Sequence, residues 1–340
     1  MNAAAARSQV LSVSDHLDAL TPWSYLALFL AASALMIWRL GALERRGFEG
    51  TVLGTLIMPY CSGLSNLIFA YVLGRSGGSG SLVLENCLVN NVTNATLLLG
   101  LPALIWPLSI LAGKKPSGAG RPGSRETTAR IHRLSLLLTV LAMLFFTGVL
   151  WALARDGVLD FADGLVLVGV FLFWQIFHVF DVLKENVRRN RRMSWFVPLE
   201  LVVILASGYG VFESVDRLVA WIPRTGSGWL VFDNLGWLTG LLMVIPNALL
   251  AFYYAWQRRP DVVYSSQIGD GHICIPMAVG LFALFSPIRI VPYLQQGVTV
   301  LIGAGVAHLF FVGVWGSLPR WAGAGLSLSY FVFLYAGLIR

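Results

Sequence analysis

Charge is scarce in this sequence. Asp, Glu, Lys and Arg together make up 12% of 340 residues, against roughly 25% in soluble globular domains. Hydrophobic residues make up 57%, and the mean hydropathy is +0.73. That balance excludes an ordinary soluble fold, and apolar runs of about 20 residues, the length that crosses a bilayer core as helix, recur along the whole chain. No enzyme signature rises above noise: no P-loop or HExxH occurs, and the single GxSxG match, Gly74 to Gly78, falls in a Gly/Ser-rich stretch, so nothing supports ATP-driven transport or intramembrane hydrolysis. There are three cysteines, Cys61, Cys87 and Cys274. All lie in apolar segments, which argues against a disulfide framework. They lack the CxxC or HxxxH spacing of a soft-metal site, and buried Cys is often simple packing. The first 21 residues carry no basic segment followed by a short apolar core, so no cleaved signal peptide is expected.

What remains is an all-α integral membrane protein. Ten spans are expected, at 23–41, 50–74, 82–112, 133–154, 161–184, 194–213, 229–257, 263–286, 290–314 and 321–339. Pro102 and Pro107 should bend or end the long third span. Seventeen of the 24 Lys and Arg fall in the loops after odd-numbered spans or at the span ends that adjoin them. By the positive-inside rule those loops face the cytoplasm and both termini face outside, in the bacterial inner membrane. The pI near 9.6 then reflects orientation and contact with lipid headgroups, the basic runs 114–130 and 184–192 above all, and not nucleic acid. Trp and Tyr at span ends, such as Trp23, Trp229 and Trp256, suit the interfacial aromatic belt. The sequons at Asn91 and Asn94 sit inside a span and are read as chance matches.

Two stretches resemble one another across nearly half the chain: 61–107, from CSGLSNLIFA to GLPALIWP, and 243–287, from MVIPNALLAF to GLFALFSP. Asn66 aligns with Asn247, Ala70 with Ala251, Gly100 with Gly280, Leu104 with Leu284 and Pro107 with Pro287. The copies enter the membrane from opposite sides, so the expected architecture is two inverted five-helix repeats. Inverted repeats place a transport site near the midplane, where polar or broken helices of the two halves meet. The expected divisions are a tail 1–22 outside the membrane, a first repeat 23–184 with a cytoplasmic loop 113–132, a basic linker 185–193, and a second repeat 194–340.

Both copies carry polar stripes on apolar helices: Ser62 and Asn66, Asn90 and Asn94, then Ser266, Asp270 and Cys274, each at i, i+4 spacing. Asp270 stands out, because an ionisable group at bilayer depth costs at least about 2.5 kcal/mol unless paired. Proton carrier, anionic cation ligand and helix cap between Gly269 and Gly271 are all open for it. His178, Asp181, Glu200, Glu213 and Asp216 lie outside the repeats and are read as interface or partner residues.

These repeats resemble those of the cation/calcium exchanger superfamily, in which each half carries a motif close to G-T-S-x-P-E-L and then G-N-x-x-G-S-N-x-x-[ND]. Residues 61–67 and 243–247 take the place of the first block. Residues 85–94 and 265–274 take the place of the second. The resemblance implies a secondary antiporter, not an enzyme, that moves a cation, calcium by default, against Na⁺ or H⁺. It implies no cofactor beyond the transported Ca²⁺, Na⁺ or H⁺, and it leaves the oligomeric state open. It further implies a site lined by Asn66, Asn90, Asn94, Asn247 and Asp270 with Ser62 and Ser266 as auxiliary oxygens, and Asp270, Glu85 and His272 as candidates for proton coupling. Asn66, Asn247 and Asp270 are the metal-ligand candidates. The motif Glu of both halves is Asn here, at Asn66 and Asn247. A hard divalent ion wants several oxygens with at least one or two carboxylates, so the residues point to weaker divalent binding or to a monovalent ion. A fold-retaining scaffold that exchanges nothing, or a carrier of a small organic solute, are the alternatives.

Overall fold

The computed structural model describes residues 22–45, 58–75, 77–106, 108–110, 122–188, 196–225 and 234–338. The tail before Pro22, residues 113–121 of the loop 113–132 and the linker beyond Arg188 lie outside the described residues, while the rest of that loop forms the start of the helix Pro122–Leu153. The elements, in chain order, are α1 (Pro22–Arg45), α2 (Met58–Arg75), α3 (Gly80–Ala95), α4 (Leu97–Ile105), β1 (Leu108–Ser109) and α5 (Pro122–Leu153). Next come β2 (Val158–Leu159), α6 (Phe161–Arg188), α7 (Phe196–Thr225), α8 (Leu235–Met243), α9 (Ile245–Trp256) and α10 (Pro260–His272). A π-helical segment (Ile273–Val279) joins α10 to α11 (Gly280–Ala283). Then follow β3 (Ile288–Arg289), α12 (Leu294–Phe310), a second π segment (Phe311–Trp315), β4 (Ser317–Leu318) and α13 (Arg320–Leu338). Among the described residues five helical stretches are long and apolar enough to cross a membrane: Gly80–Ile105, Arg133–Asp156, Pro198–Leu218, Leu235–Trp256 and Leu294–Trp315. The protein is an all-α integral membrane protein.

Packing is inside out. The two least apolar helices, α3 and α10, are the most deeply buried: every residue of α3 except Ser81 and every residue of α10 except Asp261 is buried. The greasier helices around them leave large side chains such as Phe173, Val202 and Tyr335 exposed, as lipid contact requires and water contact would forbid.

The centre is built from crossings that occur twice. Helix α2 packs on the π segment after α10, and α8 packs on α3. Helix α5 packs on α10, and α12 packs on α3; α6 packs on α11, and α13 packs on α4. Glycine permits the last two crossings. A Cβ on Gly100 would lie 2.7 Å from the Gly323 carbonyl oxygen, and one on Gly280 would lie 2.9 Å from Leu167 Cβ and 3.1 Å from the Gly164 carbonyl oxygen. Two antiparallel strand pairs, β1 with β4 and β2 with β3, add the same exchange at the helix ends. Strands of two residues carry no periodicity, and the sequence gives no sign of them.

The third expected span is interrupted, but not where proline alone would place the interruption. Helix α3 stops at Ala95, and α4 starts at Leu97 and contains Pro102. Pro102 has no N–H for the Leu98 carbonyl, and its ring crowds the preceding turn, so the distortion falls upstream of the proline. Thr96 covers the break by donating its hydroxyl to the Val92 carbonyl. Helix α4 ends at Ile105, short of the expected 112. The break between α8 and α9 at Val244 has Pro246 just inside α9, where a missing N–H costs nothing. Pro276 lies inside the π segment after α10, a geometry often found at functional positions.

Candidate functional site

Five of the residues singled out in the sequence converge where α2, α3, α9 and α10 cross. Asn66, Asn90, Asn94, Asn247 and Asp270 are all at most 1% exposed. Two hydrogen-bond relays run through them. In one, Asn247 Nδ2 donates to Asn94 Oδ1 at 3.3 Å, and Asn94 Nδ2 donates to Asn90 Oδ1 at 2.7 Å. In the other, Asn66 Nδ2 donates to Cys274 Sγ at 3.2 Å, and the Cys274 thiol donates to Asp270 Oδ2 at 3.7 Å. The alignment that pairs Gly100 with Gly280 also pairs Asn94 with Cys274 and Asn90 with Asp270. The two relays therefore have the same layout, each starting on the first repeat block of one half and ending one helical turn apart on the second block of the other.

Asp270 ties the relays together. Its Oδ2 also accepts from Asn94 Nδ2 at 2.7 Å and from Asn247 Nδ2 at 3.0 Å. Hydrogen bonds to charged groups contribute about 1.5–3 kcal/mol each, so two amide donors are of the size needed to offset the roughly 2.5–3.5 kcal/mol insertion cost of a carboxylate at bilayer depth. Asn247 lies in the first turn of α9, which sets Asp270 near the positive end of that helix dipole as well.

Several acceptors at the crossing have no donor. Asn66 Oδ1 and Gln267 Oε1 are buried without a hydrogen-bond partner, as are Asn86 Oδ1 and both polar atoms of Asn91 nearby on α3. An unmade hydrogen bond on such a group costs about 1–3 kcal/mol, and oxygen acceptors of this kind are what a hard cation takes as ligands. Residue chemistry at the crossing thus fits a cation: one carboxylate plus uncharged amide oxygens.

Not every candidate joins the cluster. Ser266 Oγ donates to the Val263 carbonyl at 3.1 Å and accepts from Gln267 Nε2 at 3.1 Å. Its hydroxyl proton is thereby committed, and its oxygen already has one donor. Ser62 lies on α2, and its side chain falls outside the described residues, as do those of Cys61, His178 and Asp181. Glu85 packs against the start of α8, where a Cβ on Gly236 would lie 2.3 Å from Glu85 Oε2. His272 turns the other way: its Nε2 meets the Thr139 carbonyl at 2.9 Å, and its ring sits edge-on to Phe146 and Trp174. Glu200, read as an interface residue, pairs within the chain with Arg39 at 3.3 Å across α1 and α7, and Glu213 pairs with Arg217 at 3.0 Å on one helix.

Sequence reasoning missed Gln267. Its Nε2 donates to the Asn247 carbonyl at 3.2 Å, which fixes the start of α9 against α10. It follows Ser266 in the second motif block, so its position was the available signal. His308 was also missed: its Nε2 meets the Ala95 carbonyl at 2.8 Å, and Tyr264 contacts its Nδ1 at 3.4 Å. That carbonyl lies at the α3–α4 break, one residue beyond Asn94.

The chain is thus an integral membrane protein with a buried polar crossing inside an apolar helix bundle. Residues 21–180 match the family model described as sodium/calcium exchanger protein. Over 67 residues the chain is 37% identical to the sodium/calcium exchanger MaX1 of Methanosarcina acetivorans, a match that takes in 20% of this chain and 19% of that protein. The chain thus aligns with about a fifth of the length of that curated relative. Solved structures of the sodium-calcium exchanger NCX_Mj share the fold. One soaked with 10 mM Na⁺ and zero Ca²⁺ superposes with a TM-score of 0.68 at 17% identity, over 94% of this chain and 99% of that one. Another, soaked with 2.5 mM Na⁺ and 10 mM Sr²⁺, gives 0.67 at 17% identity, over 92% and 96%. The chain therefore shares the fold of NCX_Mj, and its residues 21–180 are similar to the sodium/calcium exchanger family.

Proposed function

We propose that the protein is a secondary active cation antiporter that works by alternating access around the crossing of α2, α3, α9 and α10. The observation that carries this reading is the buried Asp270 carboxylate held by Asn94 and Asn247 from both halves. The exchanger names of the matched proteins and the match of residues 21–180 support it.

The architecture that goes with it is ten spans as two inverted five-helix repeats. The strand pairs support that parity: β1 and β4 follow the third and ninth spans, while β2 and β3 follow the fourth and eighth. Each pair therefore joins loops that ten spans would put on one side of the membrane, and the two pairs fall on opposite sides. The doubled crossings and the doubled relay support the repeat. Both termini outside, in a bacterial inner membrane, remains the orientation that the Lys and Arg distribution favours.

Site charge decides the substrate class. With Asn66 and Asn247 in place of two acids, the crossing holds at most one negative charge, from Asp270. One carboxylate and several amide oxygens suit a monovalent cation, and they bind a divalent ion weakly. The function is thus exchange of a cation against Na⁺ or H⁺, with a monovalent ion favoured over calcium.

Proteoliposomes loaded with radiolabelled sodium or calcium and placed under a Na⁺ or pH gradient test this. Gradient-driven flux that Asp270→Asn abolishes and Asn66→Ala slows is the expected result. Flux absent for every ion, or unchanged in both variants, would sink the transporter reading and favour a fold-retaining scaffold. Thermal stabilisation by a small organic solute and by no ion would favour a solute carrier instead.

A further inference from the structure

Two crossings that correspond between the halves are tied by the same bond. Where α5 packs on α10, His272 Nε2 on the inner helix meets the Thr139 carbonyl of the outer one at 2.9 Å. Where α12 packs on α3 the direction is reversed: His308 Nε2, in the last turn of α12, meets the Ala95 carbonyl of α3 at 2.8 Å. What each carbonyl adjoins separates the two. Thr139 lies within α5, between Leu138 and Val140. Ala95 is the last residue of α3 and follows Asn94, which donates to Asp270 and accepts from Asn247.

The His308 ring is committed at both nitrogens. A carbonyl only accepts, so Nε2 carries the proton, and Nδ1 keeps its lone pair in the neutral ring. That lone pair faces the Tyr264 hydroxyl at 3.4 Å, and the Tyr264 ring stands edge-on at 5.4 Å. Tyr264 lies on α10, the helix that carries Asp270. From outside the crossing, His308 therefore touches both helices whose side chains meet in the Asn94–Asp270 bond, and His308, Tyr264 and Ala95 are all buried.

The end of α3 needs such a hold. A helix end leaves its last four carbonyls to be satisfied from outside the helix. Thr96 serves that of Val92, and His308 serves that of Ala95. A displacement of about 1 Å at this break would stretch the 2.7 Å Asn94–Asp270 bond beyond hydrogen-bonding range.

We propose that His308 is a positioning residue for the cation site: it holds the α3–α4 break so that the Asn94 carboxamide meets Asp270. The proposal rests on reading the crossing as a cation site. His308 touches none of the ion's candidate ligands directly and acts through the backbone beside Asn94.

The test uses the full chain with sodium as the probe, read two ways: sodium-dependent thermal stabilisation in detergent, and gradient-driven flux in proteoliposomes. His308→Leu keeps an apolar side chain and removes the donor to Ala95. Its half-saturating sodium concentration should rise by about 10–100-fold, the usual cost of losing an outer partner of a metal ligand, while maximal flux changes far less. His308→Gln places an amide Nε2 where the imidazole Nε2 was and should recover most of the affinity. Tyr264→Phe removes only the longer bond and should have the same effect in smaller measure. A purely structural role would lower the melting temperature of His308→Leu and leave its half-saturating sodium unchanged. That result, or a Gln variant as weak as the Leu variant, would overturn the proposal, and flux in the parent would then leave the antiporter reading intact. Sodium stabilisation in a parent that moves no ion, lost in His308→Leu and regained in His308→Gln, would support the positioning role and count against the antiporter. A parent that sodium neither stabilises nor crosses would overturn both.

Discussion

The two relays at the centre of the molecule have one layout and two chemistries. Asn247, Asn94 and Asn90 form a neutral chain of amides, whereas Asn66, Cys274 and Asp270 carry a thiol and a carboxylate at the matching positions. The fold thus builds a symmetric cage, and a single helix, α10 with its π extension, supplies the charge and the soft sulfur. Both halves contribute donors, Asn94 from the first and Asn247 from the second, and the second contributes the acid they serve. Backbone follows the same division, since α2 runs unbroken while its counterpart is split at Val244 ahead of Pro246.

The largest effect should come from erasing that difference. Asp270→Asn makes the second relay nearly as neutral as the first and removes the carboxylate. Gradient-driven flux in proteoliposomes should fall to background. Folding should survive, because a carboxamide oxygen still accepts from Asn94 and Asn247; a charge-assisted bond is about twice as strong as a neutral one, but the carboxylate's desolvation penalty disappears with it. The melting temperature should move by no more than the few degrees that about 1 kcal/mol produces in a chain of this size.

Adding charge to the other chemistry is the second way to sharpen the comparison. Asn66→Glu with Asn247→Glu puts acids at both first-block positions and raises the site to three carboxylates. Calcium should then stabilise the variant in a thermal-shift assay, by up to about 4 kcal/mol at a thousandfold excess over Kd, and should have little effect on the parent. Equal stabilisation of parent and variant would mean that the two Asn positions do not set divalent affinity.

Cys274→Asn gives the second relay the amide of the first and leaves Asp270 in place. Sodium flux should change by less than tenfold, since an amide N–H can still reach the carboxylate; a loss as large as that of Asp270→Asn would place the thiol in the hard-cation path. The smallest effects should come from the doubled glycine crossings. Gly100→Ala meets a carbonyl at 2.7 Å, and Gly280→Ala meets Leu167 Cβ at 2.9 Å. Overpacking of this kind costs about 1–3 kcal/mol, so melting curves should show both variants destabilised, Gly100→Ala slightly the more.

Much of this crossing could be read from the sequence because polar residues inside apolar helices are conspicuous and the two copies mark each other. Asn66, Asn94, Asn247 and Asp270 stood out on that ground, and they meet. Other parts could not be read for physical reasons. A cysteine looks like a small hydrophobe in sequence, so the place of Cys274 in the relay emerges only when Asn66 and Asp270 flank it in space. His272 has the chemistry of a proton carrier, but its orientation toward the Thr139 carbonyl depends on packing by Phe146 and Trp174. Glu85 sits one residue before the motif Asn86, and it packs against Gly236 at the start of α8. The distortion at Thr96 arises from Pro102 six residues later, beyond what a local reading resolves.

Cation flux in proteoliposomes, with parent and Asp270→Asn prepared in parallel under a Na⁺ or pH gradient, tests the central claim most directly. Flux in the parent that disappears in Asp270→Asn, with both proteins folded to the same melting temperature within a few degrees, is the predicted result. Equal flux from the two would contradict the claim that one carboxylate, held by amides from both halves, is the ion's charged ligand.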